Sequence, residues 1–207
     1  MKLFLTSVAL SPALRQPFRD LVGKSPADTR VALIENAADV YEGEPAWVRD
    51  NRESLEDAGL KVSRIDLKNL SDPHELESAL EPCDVIWLGG GNTYYLRWLL
   101  KTNAADKVIR KLITSGKVYA GGSAGAIMAG PTLKHFETAD DPRGAPVVYL
   151  DGLGLTDTVV VPHSDNVKYA AVIGAINEAL LRDGFSTCPL RDDQALLLDG
   201  TTHRLLP

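Results

Sequence analysis

Cysteine is scarce in this chain: Cys83 and Cys188 are the only two, and they lie far apart. There is no C-x-x-C pair and no Cys/His cluster with zinc spacing, which excludes a zinc finger or ribbon. Both thiols fall in or beside apolar runs and read as buried, which suits a reducing compartment. Basic residues are outnumbered, 22 Lys and Arg against 28 Asp and Glu, giving a formal net charge of −6. Too few cations remain to neutralise a row of phosphates, so a general nucleic-acid binder is excluded, as is adhesion to an anionic membrane. No eighteen-residue apolar run exists, so no membrane-spanning helix is expected. The apolar opening, Leu3-Phe4-Leu5, is soon interrupted by Thr6 and Ser7 and no clear cleavage site follows. It reads as a first strand rather than a secretion signal, and the expected location is the cytoplasm.

What is present is an ordinary globular composition, 44% hydrophobic and 24% charged, over 207 residues. That length suits one domain, 1–207, with a full core. Strand-like and helix-like segments alternate. Strands are predicted at 2–8, 30–34, 62–67, 85–88, 117–120 and 158–161. Helices are predicted at 13–22, 47–58, 74–80, 94–100, 104–113, 124–128 and 167–181. Thr132 to Val147 is polar and reads as a loop, and short strands joined by turns fill 185–206. The alternation predicts an α/β fold, a mostly parallel sheet between two helical layers. The runs at 31–34, 85–88 and 159–161 are apolar throughout, as strands covered on both faces are.

Ligands of an open parallel sheet gather at the carboxyl ends of its strands. Two glycine-rich turns fall at such ends, Gly89-Gly90-Gly91-Asn92-Thr93 and Gly121-Gly122-Ser123-Ala124-Gly125. The second matches G-x-S-x-G between a strand and a helix, the context of a nucleophile elbow. Small neighbours let the backbone turn sharply and project the serine hydroxyl. The Ala124 N–H then points into the same space as an oxyanion donor. The plainer reading is a tight turn with a capping serine. The first turn lacks a Walker lysine and the spacing of a dinucleotide fingerprint. A second oxyanion donor with an asparagine beside the substrate fits it, and so does an ordinary βα turn.

A serine nucleophile needs a base, and only four histidines are available. His74, His135 and His203 fall at a helix start, in the polar loop and in the terminal turns. His163 follows Val159-Val160-Val161-Pro162, at the end of a predicted core strand, and is favoured by elimination. A carboxylate should orient the imidazole. Asp192 and Asp193 follow an apolar run, while Asp165 stands close to His163 in sequence. The residues alone leave Asp192 and Asp193 open.

The set Gly-Gly-Gly-Asn-Thr at 89–93, Gly-Gly-Ser-Ala-Gly-Ala at 121–126, Pro-His at 162–163 and the acidic turn at 192–193 resembles peptidase E, the α-aspartyl dipeptidase family. The motifs stand in the family's order and span most of the chain. The resemblance implies a fold like the class I glutamine amidotransferases. It also implies metal-free, cofactor-free hydrolysis of small acidic dipeptides with an N-terminal aspartate. On this chain it makes Ser123 the nucleophile, His163 the base and Asp192 the orienting acid, where well-known members have glutamate. Gly91 and Ala124 become oxyanion donors, and Asn92 lies beside the substrate. Arg143, Arg191 and His135 are candidates to hold the aspartyl side chain. The 132–147 loop is a candidate lid, and Asp140 and Asp141 are candidates to meet a free amino group. A monomer or homodimer is expected. The alternatives are hydrolysis of another small amide, or of an isoaspartyl or polymeric bond, and a non-catalytic anion-binding protein on the same fold.

Overall fold

In the computed structural model, which describes residues 1–207, seven strands form one sheet. They are β1 (Lys2–Thr6), β2 (Arg30–Ile34), β3 (Lys61–Arg64), β4 (Val85–Leu88), β5 (Val118–Gly122), β8 (Ala195–Asp199) and β9 (Thr202–Leu206). Their order is β3-β2-β4-β5-β1-β8-β9. The first five run parallel, and β8 and β9 add to the β1 edge as an antiparallel hairpin.

Successive residues of a strand point to opposite faces, and here both faces are buried. Leu3 and Leu5 of β1 join one apolar cluster while Phe4 joins the other; Ile86 and Leu88 of β4 part in the same way from Val85 and Trp87. Helices α1 (Arg15–Val22) and α2 (Ala46–Glu56) cover the smaller cluster through Phe18, Leu21 and Leu55. Helices α3 (Pro73–Leu80), α4 (Thr93–Thr102), α5 (Ala105–Thr114), α6 (Ala124–Met128) and α7 (Ala170–Arg182) cover the larger one. The result is the three-layer, mostly parallel α/β architecture expected from the alternation. No helix is long and apolar enough to cross a membrane.

Three local expectations change. The strand expected at 158–161 is present as β6 (Thr158–Val161), but it is not part of the main sheet. It pairs in parallel only with β7 (Ser186–Pro189). Its valines are buried against the larger cluster, so it carries the apolar signature of a central strand. The third strand stops at Arg64 rather than at 67. Asp66 accepts the Lys68 N–H and an Asn36 amide hydrogen, and so starts a 3-10 turn. The last helix begins at Ala170, because the Asn166 side chain accepts the Lys168 N–H and holds a turn ahead of it.

Candidate active site

Three adjacent parallel strands, β4, β5 and β1, end at one place, and the residues that follow them are Gly89, Ser123 and Ser7. Ser123 has φ 50 and ψ −112, a conformation that L-residues rarely adopt. Its N–H donates to the Thr6 carbonyl at 3.2 Å, which ties the turn to β1. The turn fits only because its neighbours lack side chains: a Cβ on Gly122 would run into the Val8 carbonyl and one on Gly125 into the Leu88 carbonyl; in the other glycine turn a Cβ on Gly91, at φ 133, would run into the Ala37 carbonyl. The Gly91 and Ala124 N–H groups have no acceptor within the protein. They come from the two glycine-rich turns; Gly90, beside Gly91, is close enough that its missing Cβ would touch the Ser123 Cβ at 3.3 Å.

The small parallel pair delivers the other two groups. Val161 and Pro189 are partners at the ends of β6 and β7, and the pairing continues through Leu190 and Ser164. It thereby brings His163 beside Asp192. His163 Nδ1 lies 2.7 Å from Asp192 Oδ1, and His163 Nε2 lies 3.0 Å from Ser123 Oγ. An ionised carboxylate only accepts, so Nδ1 carries the proton and Nε2 is left to accept the serine hydrogen. His163 also has a positive φ, 64.

Asp192 is fastened on every side. Its Oδ1 accepts from Ser7 Oγ (3.2 Å), its Oδ2 from Asn166 Nδ2 (3.1 Å), and its own N–H donates to Asp165. Ser7, fully buried, also accepts the His163 backbone N–H at 2.8 Å. Burial pushes the Asp192 carboxyl up, but hydrogen bonds with His163, Asn166 and Ser7 outweigh it and hold the group below the usual carboxylate range. Asp193 turns away to pair with Arg191 at 3.2 Å.

A cleft of about 490 Å³ opens over Ser123. The 132–147 segment, which holds two short 3-10 turns, lines it with Phe136, Ala139 and Asp140. Asp140 accepts from both the N–H and the hydroxyl of Thr93 at the start of α4. Its burial raises the carboxyl pKa; the Thr93 bonds and the His163 charge oppose that shift without cancelling it. Asp141 is outside, paired with Arg143. A second cleft, of about 500 Å³, lies beyond the 35–45 segment and contains acidic groups paired with arginine or lysine but no nucleophile.

The candidate specificity residues are not gathered around the cleft. The Arg143 side chain is 90% exposed and forks onto Asp141. Arg191 sits on Asp193, and His135 pairs with Asp183 at 3.0 Å. Asn92 is buried, but its Oδ1 caps α4 by accepting the Tyr95 N–H and its Nδ2 donates to the Asp141 carbonyl. It anchors the 132–147 segment rather than facing the cleft. Ser7 and Asn166, unremarked in the sequence, complete the Asp192 environment. Their signal was positional only: Ser7 directly follows β1, and Asn166 lies in the segment between β6 and α7 that carries His163. No group of three or more His, Cys, Asp or Glu side chains is placed to hold a metal.

The comparisons with known proteins agree with one another. The model of peptidase family S51 matches residues 3–206. An uncharacterised peptidase of Listeria innocua serovar 6a is 33% identical over 173 residues, 82% of this chain and 79% of that protein. A peptidase E of Streptomyces coelicolor is 30% identical over 143 residues, 69% of this chain and 54% of that protein. Among solved structures, a Listeria monocytogenes EGD-e protein provisionally named peptidase E superposes with a TM-score of 0.85 at 28% identity, over 99% of this chain and 96% of that one. A peptidase from an acI-B1 actinobacterium shares the fold, with a TM-score of 0.70 at 19% identity. The chain belongs to peptidase family S51, and is a serine-type peptidase at the level of that family.

Proposed function

We propose that this chain hydrolyses short peptides with a free amino terminus, using Ser123 as nucleophile, His163 as general base and acid, and Asp192 as the group that orients the imidazole. The observation that carries the reading is the continuous line Ser123 Oγ–His163 Nε2 and His163 Nδ1–Asp192 Oδ1, at 3.0 and 2.7 Å, in the floor of an open cleft. Ser123 attacks the peptide carbonyl while Nε2 takes its proton. The carbonyl oxygen, now negative, is held by the Gly91 and Ala124 N–H groups, and the N-terminus of α6 adds positive potential. The imidazolium then protonates the leaving amine. Water, deprotonated by the same nitrogen, attacks the acyl-enzyme and frees Ser123.

Asp140 supplies the preference for a free amino terminus. It is the carboxyl group of the 132–147 segment that faces the cleft, and an ammonium brought beside it gains a charge-assisted hydrogen bond. No lysine or arginine lines the cleft. A neutral side chain on the first residue is therefore favoured over an acidic one, which would meet Asp140 without a cation to offset it. The second reading keeps the same machinery and takes aspartyl dipeptides; the relatives named peptidase E favour it. A panel of Ala-X, Leu-X, Asp-X, isoAsp-X and N-acetylated dipeptides separates the two. The first reading expects Ala-X or Leu-X to be cleaved fastest and acetylation to abolish turnover. Fastest cleavage of Asp-X establishes the second. Failure of every peptide, with tight anion binding instead, would favour a binding protein.

A further inference from the structure

The glycine turn that bears Gly91 is held by contacts that the hydrolytic groups do not require. Asn92 and Thr93 follow Gly91 directly, and both are buried, at 3% and 0% exposure. Below the turn, the Asn92 N–H donates to the Ala37 carbonyl at 2.8 Å. Above it, both residues reach the 132–147 segment. Asn92 Nδ2 donates to the Asp141 carbonyl at 2.8 Å. The Thr93 N–H, at 2.9 Å, and the Thr93 hydroxyl both donate to Asp140 Oδ2. Thr93 is the first residue of α4, where the N–H has no acceptor inside the helix and a negative charge gains from the helix dipole.

The two oxygens of Asp140 therefore differ. Oδ2 takes both Thr93 bonds, whereas Oδ1 accepts from no protein group and stays open to the cleft. Burial raises the Asp140 pKa, and the Thr93 bonds and the His163 charge work against that rise, toward the ionised form that an ammonium needs. Thr93 also stands two residues after Gly91, the donor assigned to the oxyanion. Two residues of chain span at most about 7 Å. The oxyanion donor and the Asp140 carboxylate are thus tied to one short piece of backbone. That spacing suits a carbonyl and the α-amino group of a single residue.

We propose that Thr93 is a positioning residue for the amino terminus of the substrate: its N–H and hydroxyl fasten one oxygen of Asp140, leave the other aimed at the α-ammonium of the first residue, and fix both against the oxyanion donor two residues earlier. The inference rests on the reading of Asp140 given above and adds how that carboxylate is held. Thr93 is fully buried and meets no substrate atom, so its loss acts through Asp140. The ammonium is bound alike in the ground state and the transition state, so the effect falls on KM more than on kcat.

The test compares wild type, Thr93→Val, Thr93→Ser and Asp140→Asn on an alanyl dipeptide and on its propionyl analogue, which lacks only the amino group. Tm is measured for each protein. Wild type is expected to prefer the dipeptide, and Asp140→Asn to lose that preference. Thr93→Val, which keeps the shape and removes the hydroxyl, should penalise the dipeptide about tenfold more than the analogue, mainly through KM. Thr93→Ser, which keeps the hydroxyl, should recover most of the preference. A merely structural role would cut both substrates equally, in step with Tm. Equal losses in Thr93→Val, beside a lost preference in Asp140→Asn, overturn the proposal and leave the reading of Asp140 standing. A preference absent from wild type, or one that survives in Asp140→Asn, overturns both.

Discussion

The Ser123 hydroxyl and the His163 imidazole meet at 3.0 Å, and both residues hold backbone with positive φ, 50 and 64. Neither is glycine, so each stores conformational strain of order 1–3 kcal/mol that the surrounding packing must outweigh. The strain aims each side chain at the other from different sheets: the serine from the end of β5, the histidine from the end of β6.

Ser123→Gly should therefore remove activity and raise stability. Glycine adopts φ 50 freely, and the loss of the hydroxyl's hydrogen bond to His163 offsets part of the gain. A net stabilisation of about 1 kcal/mol is expected by denaturant unfolding. An unchanged or lowered midpoint would show that the turn is not strained.

The orienting acid is tested by a pair of variants. Asp192→Asn keeps the shape but lets the amide donate to Nδ1, which favours the wrong tautomer. It should lower kcat by about 10³–10⁴-fold. Asp193→Asn, on the exposed partner of Arg191, should change kcat by about twofold or less. Similar losses in the two would contradict the geometry.

Ser7 positions both partners, bonding the His163 N–H and the Asp192 carboxylate. Ser7→Ala should lower kcat about tenfold with little change in KM, because the imidazole is held less firmly. Ser7→Thr, which restores the hydroxyl, should recover part of the rate. A loss confined to Tm would make Ser7 structural only.

Two carboxyl groups give opposite pH signatures. The Asp192 pKa is lower in the folded state, so its contribution is present above the unfolded pKa and lost as pH falls through the folded one. The Asp140 pKa is raised by burial, so the folded state holds its proton longer and stability falls as pH rises through the window above the unfolded value. Asp140→Asn, which cannot ionise, should gain Tm over wild type at pH 7 relative to pH 3 and lose turnover of free peptides. A Tm difference independent of pH would remove Asp140 from this role.

Parts of the site were legible because they are local. The Gly121–Gly125 turn shows strand, tight turn and helix within one stretch, and the apolar runs show which strands are covered on both faces. The sheet that holds Val159–Val161 was not legible, because burial under α7 writes the same valine run as burial in the main sheet. Nor were Ser7 and Asn166, which arrive from the end of β1 and from the segment after β6 and meet at Asp192 only through packing. Arg143 and Arg191 read as substrate cations, but a carboxylate two residues away captures each of them. Asp140 and Asp141, adjacent in sequence, face opposite ways, one into the cleft and one to solvent.

Ser123, activated by His163, is the nucleophile of the proposed reaction. Mass spectrometry of tryptic peptides after treatment with a fluorophosphonate tests it most directly. One adduct is expected, on Ser123, absent in Ser123→Ala and formed at least about a hundredfold more slowly in His163→Ala. An unlabelled Ser123 in a protein that still cleaves peptides, or labelling unaffected by loss of His163, would contradict it.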